Sequence, residues 1–346
     1  MNILFAGDFE PGYNRTKIII DGLRAQPGVT LSFYNYKEKS KWNFPALRKA
    51  CKAADVIFLP SFTHQDVLMI KWLSGKPLIF DPLISRYMSK VFDYKKVGKY
   101  SPRAFKNYLK DKISMSMADL VVCDTHAHLQ YFHDTFNIPE HKMHVLPVGV
   151  NTDDFKPAPV QHPQNTFIAG FYGGFIPLQG TRMIIEAAKV LQPHTDIQFR
   201  LIGDGFEFKK VQQLAKDYGL DNVSFLGWVN YNKLAEEVNA FDICLGIFGE
   251  TMKADAVIPN KIFHYAALQK AIITKNAPAI REIFEDGRDI ILSENTATAI
   301  AEKILLLKND PVLRAAVAEQ GYRKIVTGYN HKVIGKSLYE LAVRLL

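Results

Sequence analysis

Short apolar runs recur along the whole chain, most of them without polar alternation (DIQFRLI and NVSFL excepted), each closed by Gly, Pro, Asp or Thr and followed by a stretch with helical spacing. In the first half they are residues 1–7, AADVIFLPS, KPLIFDPL, ADLVVCDT and MHVLPVG. In the second they are FIAGFYGGF, DIQFRLIGDG, NVSFLGW, FDICLGIFG and AIITKN. A strand that is apolar at consecutive positions has both faces covered, which crossover helices provide and hairpins do not, so the pattern predicts parallel sheets. Intervening segments such as TRMIIEAAKVL and FKKVQQLAKDYGL supply the helices, and Ile18, Ile19, Ile20 and Leu23 supply the first of them. A composition of 48% hydrophobic, 23% charged and 12% aromatic residues sits near globular averages and leaves disorder, collagen-like repeats and coiled coil without support.

The series is interrupted once. VNTDDFKPAPVQHPQNT carries Pro157, Pro159 and Pro163 and almost no apolar periodicity, which makes it the linker. At 346 residues the chain suits two domains better than one core. The expected division is 1–160, 161–325 and a C-terminal helix at 326–346 packing back on the N-terminal domain. Two doubly wound domains would hold ligands at the carboxyl ends of their strands.

Cys51, Cys123 and Cys244 are far apart and odd in number, so neither a disulfide framework nor a zinc site is expected. No apolar run approaches eighteen residues, and the N-terminal one is too short for a signal peptide. A cytoplasmic address is the expectation, with peripheral attachment to the inner membrane face added by the charge pattern.

That pattern is asymmetric. The chain holds 43 Lys and Arg against 35 Asp and Glu, and residues 1–160 hold 22 of those bases against 15 acids. Residues 86–112 alone contain nine bases and two acids, Asp93 and Asp111, interleaved with Tyr87, Phe92, Tyr94, Tyr100, Phe105 and Tyr108. A second block at 37–52 has six bases to one acid beside Trp42 and Phe44. Cations among aromatic and apolar neighbours suit an anionic membrane surface. A solvated helix face is the bland alternative, and RNA the least expected one.

Five blocks of the second half, in order, resemble the donor domain of the retaining glycosyltransferases of two-Rossmann-domain, GT-B type, family 4. They are FYGGFIPLQGTRMIIEAAKVL, LIGDG, NVSFLGWVNYNKLAEEVNAFDICLG, VIPNKIFHYAALQKAIIT and REIFEDGRDIILSENTATAIAEKILLLKNDPVLR. PGYNRT, DPLISRY and ADLVVCDTHAHLQYF with LPVGVNTDDFKP resemble one subgroup more loosely. The resemblance implies an α/β fold of two facing Rossmann-like domains with a cleft. It also implies a nucleotide-sugar donor in the second domain, a glycan or lipid-linked acceptor in the first, no metal and no separate cofactor.

Breaking the donor's glycosidic bond builds negative charge on the leaving phosphate, so the site needs donors and cations there. Gly173, Gly174 and Gly203 allow close backbone approach, and a helix from Thr181 offers its N-terminus. The Arg and Lys that the family keeps in this loop correspond to Gly174 and Gln179. Lys261, in the first turn after Pro259 with Asn260, is the expected replacement, ahead of Arg281 and Lys253. The family's Glu, seven residues, Glu pattern falls on Ala256 and His264. His264 is then the expected ribose contact, with a helix-face histidine that meets no ligand the alternative. Glu250, with Thr251, is expected to replace the sugar-facing acid, with a solvent-facing loop acid the alternative.

Trp228 and Val229 are expected at the base, with a core position the alternative for Trp228, and Glu282 near the sugar or phosphate. On the acceptor side, Tyr13, Asn14 and Arg15 form the first strand-to-helix loop, with Arg15 as a further cation. Asp93 is a candidate base or a local ion-pair partner. His126 is an acceptor-side candidate, and its spacing from His128 does not favour one shared metal. These departures also admit a glycosyltransferase-like chain that has lost transfer and serves as a binding or regulatory subunit. A dinucleotide oxidoreductase is disfavoured, because the first strand runs into GDFEPG rather than GxGxxG.

Overall fold

The computed structural model describes residues 1–160 and 166–346. Two compact units form, one from Met1–Gly149 with Asn330–Leu346 and the other from Val150–Tyr329. The last part of the expected linker, Pro163 included, lies outside the described residues.

In the N-terminal unit the strands are β1 (Asn2–Gly7), β2 (Thr30–Asn35), β3 (Val56–Leu59), β4 (Leu78–Phe80), β5 (Leu120–Cys123) and β6 (Met143–Val145). Its helices are α1 (Asn14–Arg24), α2 (Phe44–Ala53), α3 (Val67–Ser74), α4 (Pro102–Met117) and α5 (His126–Phe136). The sheet is parallel throughout, in the order β2-β1-β3-β4-β5-β6. Every residue of β3, β4 and β5 is buried, which is what an unbroken apolar run requires. One face packs Leu4, Ile57, Leu78 and Val121 against Leu47, Val67, Met115 and Phe132 from the helices.

The second unit contains β7 (Phe167–Tyr172), β8 (Ile197–Ile202), β9 (Val223–Gly227), β10 (Ile243–Leu245), β11 (Ala271–Lys275) and β12 (Ile291–Ser293). Its helices are α6 (Thr181–Val190), α7 (Phe208–Asp217), α8 (Tyr231–Asn239), α9 (Met252–Ala256), α10 (Asn260–Ala267), α11 (Ala297–Asn309) and α12 (Pro311–Gly328). The parallel order β9-β8-β7-β10-β11-β12 is, counted from its own first strand, the 3-2-1-4-5-6 winding of dinucleotide-type domains. Connections reverse direction beside β7, so the crevice between the carboxyl ends of β7 and β10 is this sheet's switch point. In the first sheet the corresponding place lies between β1 and β3.

Two strands, β2 and β12, were not among the expected apolar runs. Both are edge strands. β2 is half exposed along most of its length, and β12 has only three residues, so neither carries a strong periodic signal.

The joint also sits elsewhere than the prolines. Residues 150–160 belong with the second unit because Phe155 is buried there against Tyr231 and His264, and the Ala158 N–H donates to Asn239 Oδ1 at 3.2 Å. The return crossing falls at Tyr329/Asn330, where the Asn330 side chain accepts from the N–H groups of Lys332 and Val333 and starts α13 (His331–Arg344). α13 packs along α1 in the N-terminal unit, with Gly22 and Gly335 backbone to backbone.

Candidate functional site

β7 ends in Tyr172 and is followed by Gly173 and Gly174 at the switch point, where Gly173 has little room for a side chain. Gly173 has φ +152°, and a Cβ on it would lie 2.7 Å from the Lys261 amine. Gly203, leaving β8, has φ +128° and would place a Cβ 2.0 Å from the Gly173 carbonyl oxygen. Two glycines therefore let the β7 and β8 exits and α10 close onto one spot. Gly174, the next residue, is half-buried.

Lys261 is the second residue of α10, whose first turn follows Pro259 as that proline's fixed φ favours. Its side chain is 3% exposed, and Nζ lies 3.5 Å from the centroid of the Phe171 ring. Nζ has no hydrogen-bond partner among the described residues. Burial, with no carboxylate to offset it, pushes the amine well below the ordinary lysine range.

His264, one turn further along α10, is buried with its ring stacked on Phe155 at 3.8 Å. Its Nδ1 meets the Tyr172 hydroxyl at 2.5 Å. Burial lowers the imidazole to about 3 and raises the Tyr172 phenol, so the pair is neutral at physiological pH. The Tyr172 backbone N–H in turn donates to the Tyr265 hydroxyl at 2.8 Å. Sequence reasoning missed Tyr172, Phe155 and Tyr265 as the groups that hold His264. Only Tyr172 carried a signal, as the residue before a Gly-Gly pair at a strand end.

The chain from Gly174 to α6 adds two buried polar atoms. Gln179 closes a single helical turn, Pro177–Gln179, and its backbone carbonyl accepts from the Phe248 N–H at 3.0 Å, tying it to the exit of β10. Its side-chain Oε1 and the hydroxyl of Thr181, first residue of α6, have no partners among the described residues. α6 begins after Gly180 without a side-chain cap, so its N-terminal amides are not closed off by a neighbouring carboxylate or hydroxyl.

Glu250 is exposed on the loop between β10 and α9. That loop is held by Lys275, whose Nζ donates to the Gly249 carbonyl at 2.9 Å and pairs with Asp255 at 2.7 Å. Thr251 caps α9, accepting from the Ala254 N–H. Ala256 is buried, and Asn260 is half-buried at the start of α10. Trp228 is 77% exposed just beyond β9, which removes the core alternative, and Val229 beside it is half-buried. Glu282 is exposed on a turn after β11, beside Arg281, whose Nε donates to Asn276 Oδ1. Lys253 is buried in α9.

In the N-terminal unit a groove of about 230 Å³ opens at the carboxyl ends of β1 and β3, lined by Glu10, Tyr13, Thr16, Lys37, Ser61 and Phe62 among others. Tyr13 packs edge-on to Phe62 at 5.2 Å, and burial raises its phenol to about 12. Asn14 begins α1 and is half-buried.

Arg15, expected as an available cation, is instead 1% exposed and bound inside its own unit. Its Nε donates to Asp81 at 2.8 Å, and Nη1 donates to the carbonyls of Leu146 and Pro147 at 2.7 Å each. One guanidinium thus ties α1 to the chain leaving β4 and β6, with Asp81 matching its charge; Nη2 alone lacks a partner among the described residues. Asp93 is buried beneath the basic segment, in a wide helical turn at Met88–Asp93. His126 is exposed at the start of α5, whereas His128 is buried and bonded to Asp124 at 2.7 Å. The two histidines point apart, and among the described residues no cluster of His, Cys, Asp or Glu has metal-binding geometry.

A doubly wound domain with glycines at its switch point and a helix N-terminus without a side-chain cap defines a Rossmann-type class of fold. The family model for glycosyl transferases group 1 matches residues 152–324, half of the chain, and the protein belongs to that family. Its architecture matches GT-B structures. HepE from Anabaena, solved with UDP, superposes with a TM-score of 0.76 at 16% identity over 99% of this chain and all of that one. Sucrose-phosphate synthase from Thermosynechococcus elongatus gives 0.74 at 15% identity, over 99% of this chain and 98% of that one.

Among curated proteins, an uncharacterized glycosyltransferase of Methanocaldococcus jannaschii is 27% identical over 44% of this chain and 41% of its own. The lipopolysaccharide core biosynthesis glycosyltransferase LpsD of Rhizobium meliloti is 24% identical over 57% of each. A GDP-mannose-dependent monoacylated phosphatidylinositol monomannoside mannosyltransferase of Corynebacterium glutamicum is 22% identical over 56% of this chain and 54% of its own. The chain thus spans about half the length of the curated relatives it matches. Among the described residues no helix is long and apolar enough to cross a membrane.

Proposed function

We propose that the protein transfers a sugar from a nucleotide diphosphate donor, bound by the second domain, to a lipid-linked or polysaccharide acceptor on the N-terminal side. The observation that carries this reading is the set of buried polar atoms without partners on the chain around the β7 exit: Lys261 Nζ, Gln179 Oε1 and Thr181 Oγ1. Buried polar atoms are rarely left unmatched, and those that are mark places where a ligand completes the set. A diphosphate supplies acceptors for the lysine, the hydroxyl and the open amides of α6, and a sugar hydroxyl supplies the donor that Gln179 Oε1 lacks. Its charge also restores the ammonium form of Lys261, which burial alone disfavours.

In this reading Lys261 and the α6 N-terminus stabilise charge growing on the leaving phosphate. Gly173, Gly174 and Gly203 let the backbone approach it. Trp228 and Val229 meet the base, with Asn260 and His264 toward the phosphate and ribose. Glu250, Thr251 and Glu282 meet the sugar. Retention follows from the family resemblance, in which the departing phosphate takes the acceptor's proton and no strong protein base is needed. Tyr13, Asn14, Asp93 and His126 are the acceptor-side groups, and the nucleotide-sugar is a co-substrate rather than a resident cofactor. The exposed cations of residues 86–112 support an acceptor presented at an anionic surface. Relatives and neighbours that use GDP-mannose or bind UDP agree on the donor class and differ on the base.

A panel of UDP-glucose, GDP-mannose and ADP-glucose read by thermal shift tests the donor reading, since a ligand at one hundred times its Kd stabilises by about 2.7 kcal/mol. One nucleotide-sugar should raise the melting temperature by several degrees. Failure of all three to shift it, and of UDP and GDP alone, would overturn transfer in favour of a chain that only binds partners.

A further inference from the structure

On α4, Phe105, Leu109, Ile113 and Met117 recur every four residues and form one stripe. In a soluble helix such a stripe faces the core, yet Phe105 is 61% exposed, and Ile113 and Met117 are exposed too. On α3, Leu68 and Trp72 stand one turn apart, both exposed, Trp72 at 82%. The two helices are neighbours, and between them runs a groove of about 400 Å³, in the size range of small-molecule sites. Leu68, Phe105, Leu109 and Ile113 line its walls, and Lys106 and Lys110 stand along one rim.

The segment that carries the groove is strongly basic, although Lys71 on α3 is paired with Asp119 just beyond it. Between His64 and Met117 the chain has eleven Lys and Arg, none of them buried. It has four carboxylates, Asp66, Asp81, Asp93 and Asp111, and all four are buried. Lys110 is further crowded by the like charges of Arg86, Lys106 and Lys90. An apolar slot with an unmatched cationic rim complements a molecule that has an anionic head and a hydrocarbon tail. A second copy of the chain fits less well, because a twofold pairing through this face brings the same lysines against one another.

We propose that the α3–α4 groove holds the hydrocarbon chain of a phosphate-headed lipid, with the phosphate between Lys106 and Lys110. Trp72 and Tyr100 then sit at the level of the head groups, where amphipathic rings are favoured. This deepens the anionic-surface part of the proposed function and rests on that reading for the lipid's origin. It narrows a diffuse basic segment to one slot, and it draws in α3, which lies outside that segment.

Calorimetric titration with dodecyl phosphate below its critical micelle concentration tests it on the full chain. Saturable one-site binding is expected, at least tenfold tighter than dodecanol, with inorganic phosphate at the same concentration neither binding nor competing. Phe105→Ser with Ile113→Ser should weaken dodecyl phosphate at least tenfold. Lys106→Gln with Lys110→Gln should abolish the preference over dodecanol while leaving dodecanol binding in place, so the test survives if the first variant fails to fold. Absence of saturable binding, equal binding of inorganic phosphate, or unchanged affinity in both variants overturns the proposal. So does a dimer in sedimentation equilibrium that dissociates in the Phe105→Ser, Ile113→Ser variant. A UDP-glucose and GDP-mannose thermal shift on the same preparation separates the readings: nucleotide binding without dodecyl phosphate binding sinks only the slot, and the reverse sinks only the transferase.

Discussion

Lys261 sits where folding alone would not put a lysine. Its amine is enclosed beside Phe171 with no hydrogen-bond partner among the described residues, so the unliganded domain carries the cost of that arrangement. Replacing it by Met, similar in length and apolar, should raise stability by about 1 kcal/mol, some 2–4 °C in melting temperature for a domain of this size. The same substitution should lower kcat/KM for sugar transfer about 10²- to 10³-fold, the range for losing one group that stabilises transition-state charge. Because the folded-state pKa is depressed, the unfolded chain binds more protons between that value and about 10.4. Wild-type stability therefore rises with pH across that window, and the gap to Lys261→Met should narrow from pH 7 to pH 10 in paired melts. A gap constant with pH would mean the amine is already charged and matched. Tyr172→Phe, by contrast, removes one buried hydrogen bond to His264 and should cost about 1 kcal/mol in urea unfolding. Lys261 was legible from its place after Pro-Asn, as was the departure at His264. Its partner Tyr172, 92 residues away, was not, because stacking and hydrogen bonding at that separation leave no local pattern.

At the scale of elements, the contact of α1 with α13 is set by two glycines. A Cβ on Gly335 would fall 2.0 Å from the Gly22 carbonyl carbon, and one on Gly22 would fall 2.0 Å from the His331 carbonyl oxygen. Gly335→Ala gains helix propensity worth up to about 1 kcal/mol, but the helices must separate to admit the methyl group. The expected balance is a loss of about 1–3 kcal/mol, the usual cost of overpacking. It should appear as a lower melting temperature and faster proteolytic removal of residues 330–346. A neutral or stabilised variant would show that the close approach is relaxed in solution. Neither glycine announced this role, since a Gly inside a helical pattern reads only as a weak spot. The central strands were legible for the opposite reason: a parallel strand buried on both faces needs an unbroken apolar run, and β3, β5 and β10 show one. β2, half exposed at a sheet edge, needs none, and β12, with three residues, is too short to show one. The unit boundary was likewise hidden, because proline content marks where a chain is stiff while Phe155 decides which core the segment joins.

Across the whole molecule, dividing the charge by compact unit sharpens the asymmetry. Met1–Gly149 with Asn330–Leu346 holds 24 Lys and Arg against 14 Asp and Glu, while Val150–Tyr329 holds 19 against 21. A nucleotide diphosphate is itself an anion, yet the unit proposed to bind it carries no net positive charge. Local buried groups must recognise it, and salt screens those weakly. The surplus lies instead in the unit that carries the exposed Lys90, Lys95, Lys96 and Lys99. Each such cation near an anionic lipid surface contributes about 1 kcal/mol and is lost beyond a Debye length of roughly 8 Å at physiological salt. Changing all four to Ala should therefore weaken binding to phosphatidylcholine–phosphatidylglycerol vesicles by about three orders of magnitude at low salt. The difference should shrink as salt rises, and neutral phosphatidylcholine vesicles should not distinguish variant from wild type. The nucleotide-induced thermal shift should change little over the same salt series. Vesicle sedimentation that is equally strong with and without the four lysines, or equally salt-resistant in both, would assign the excess charge to something other than an anionic surface.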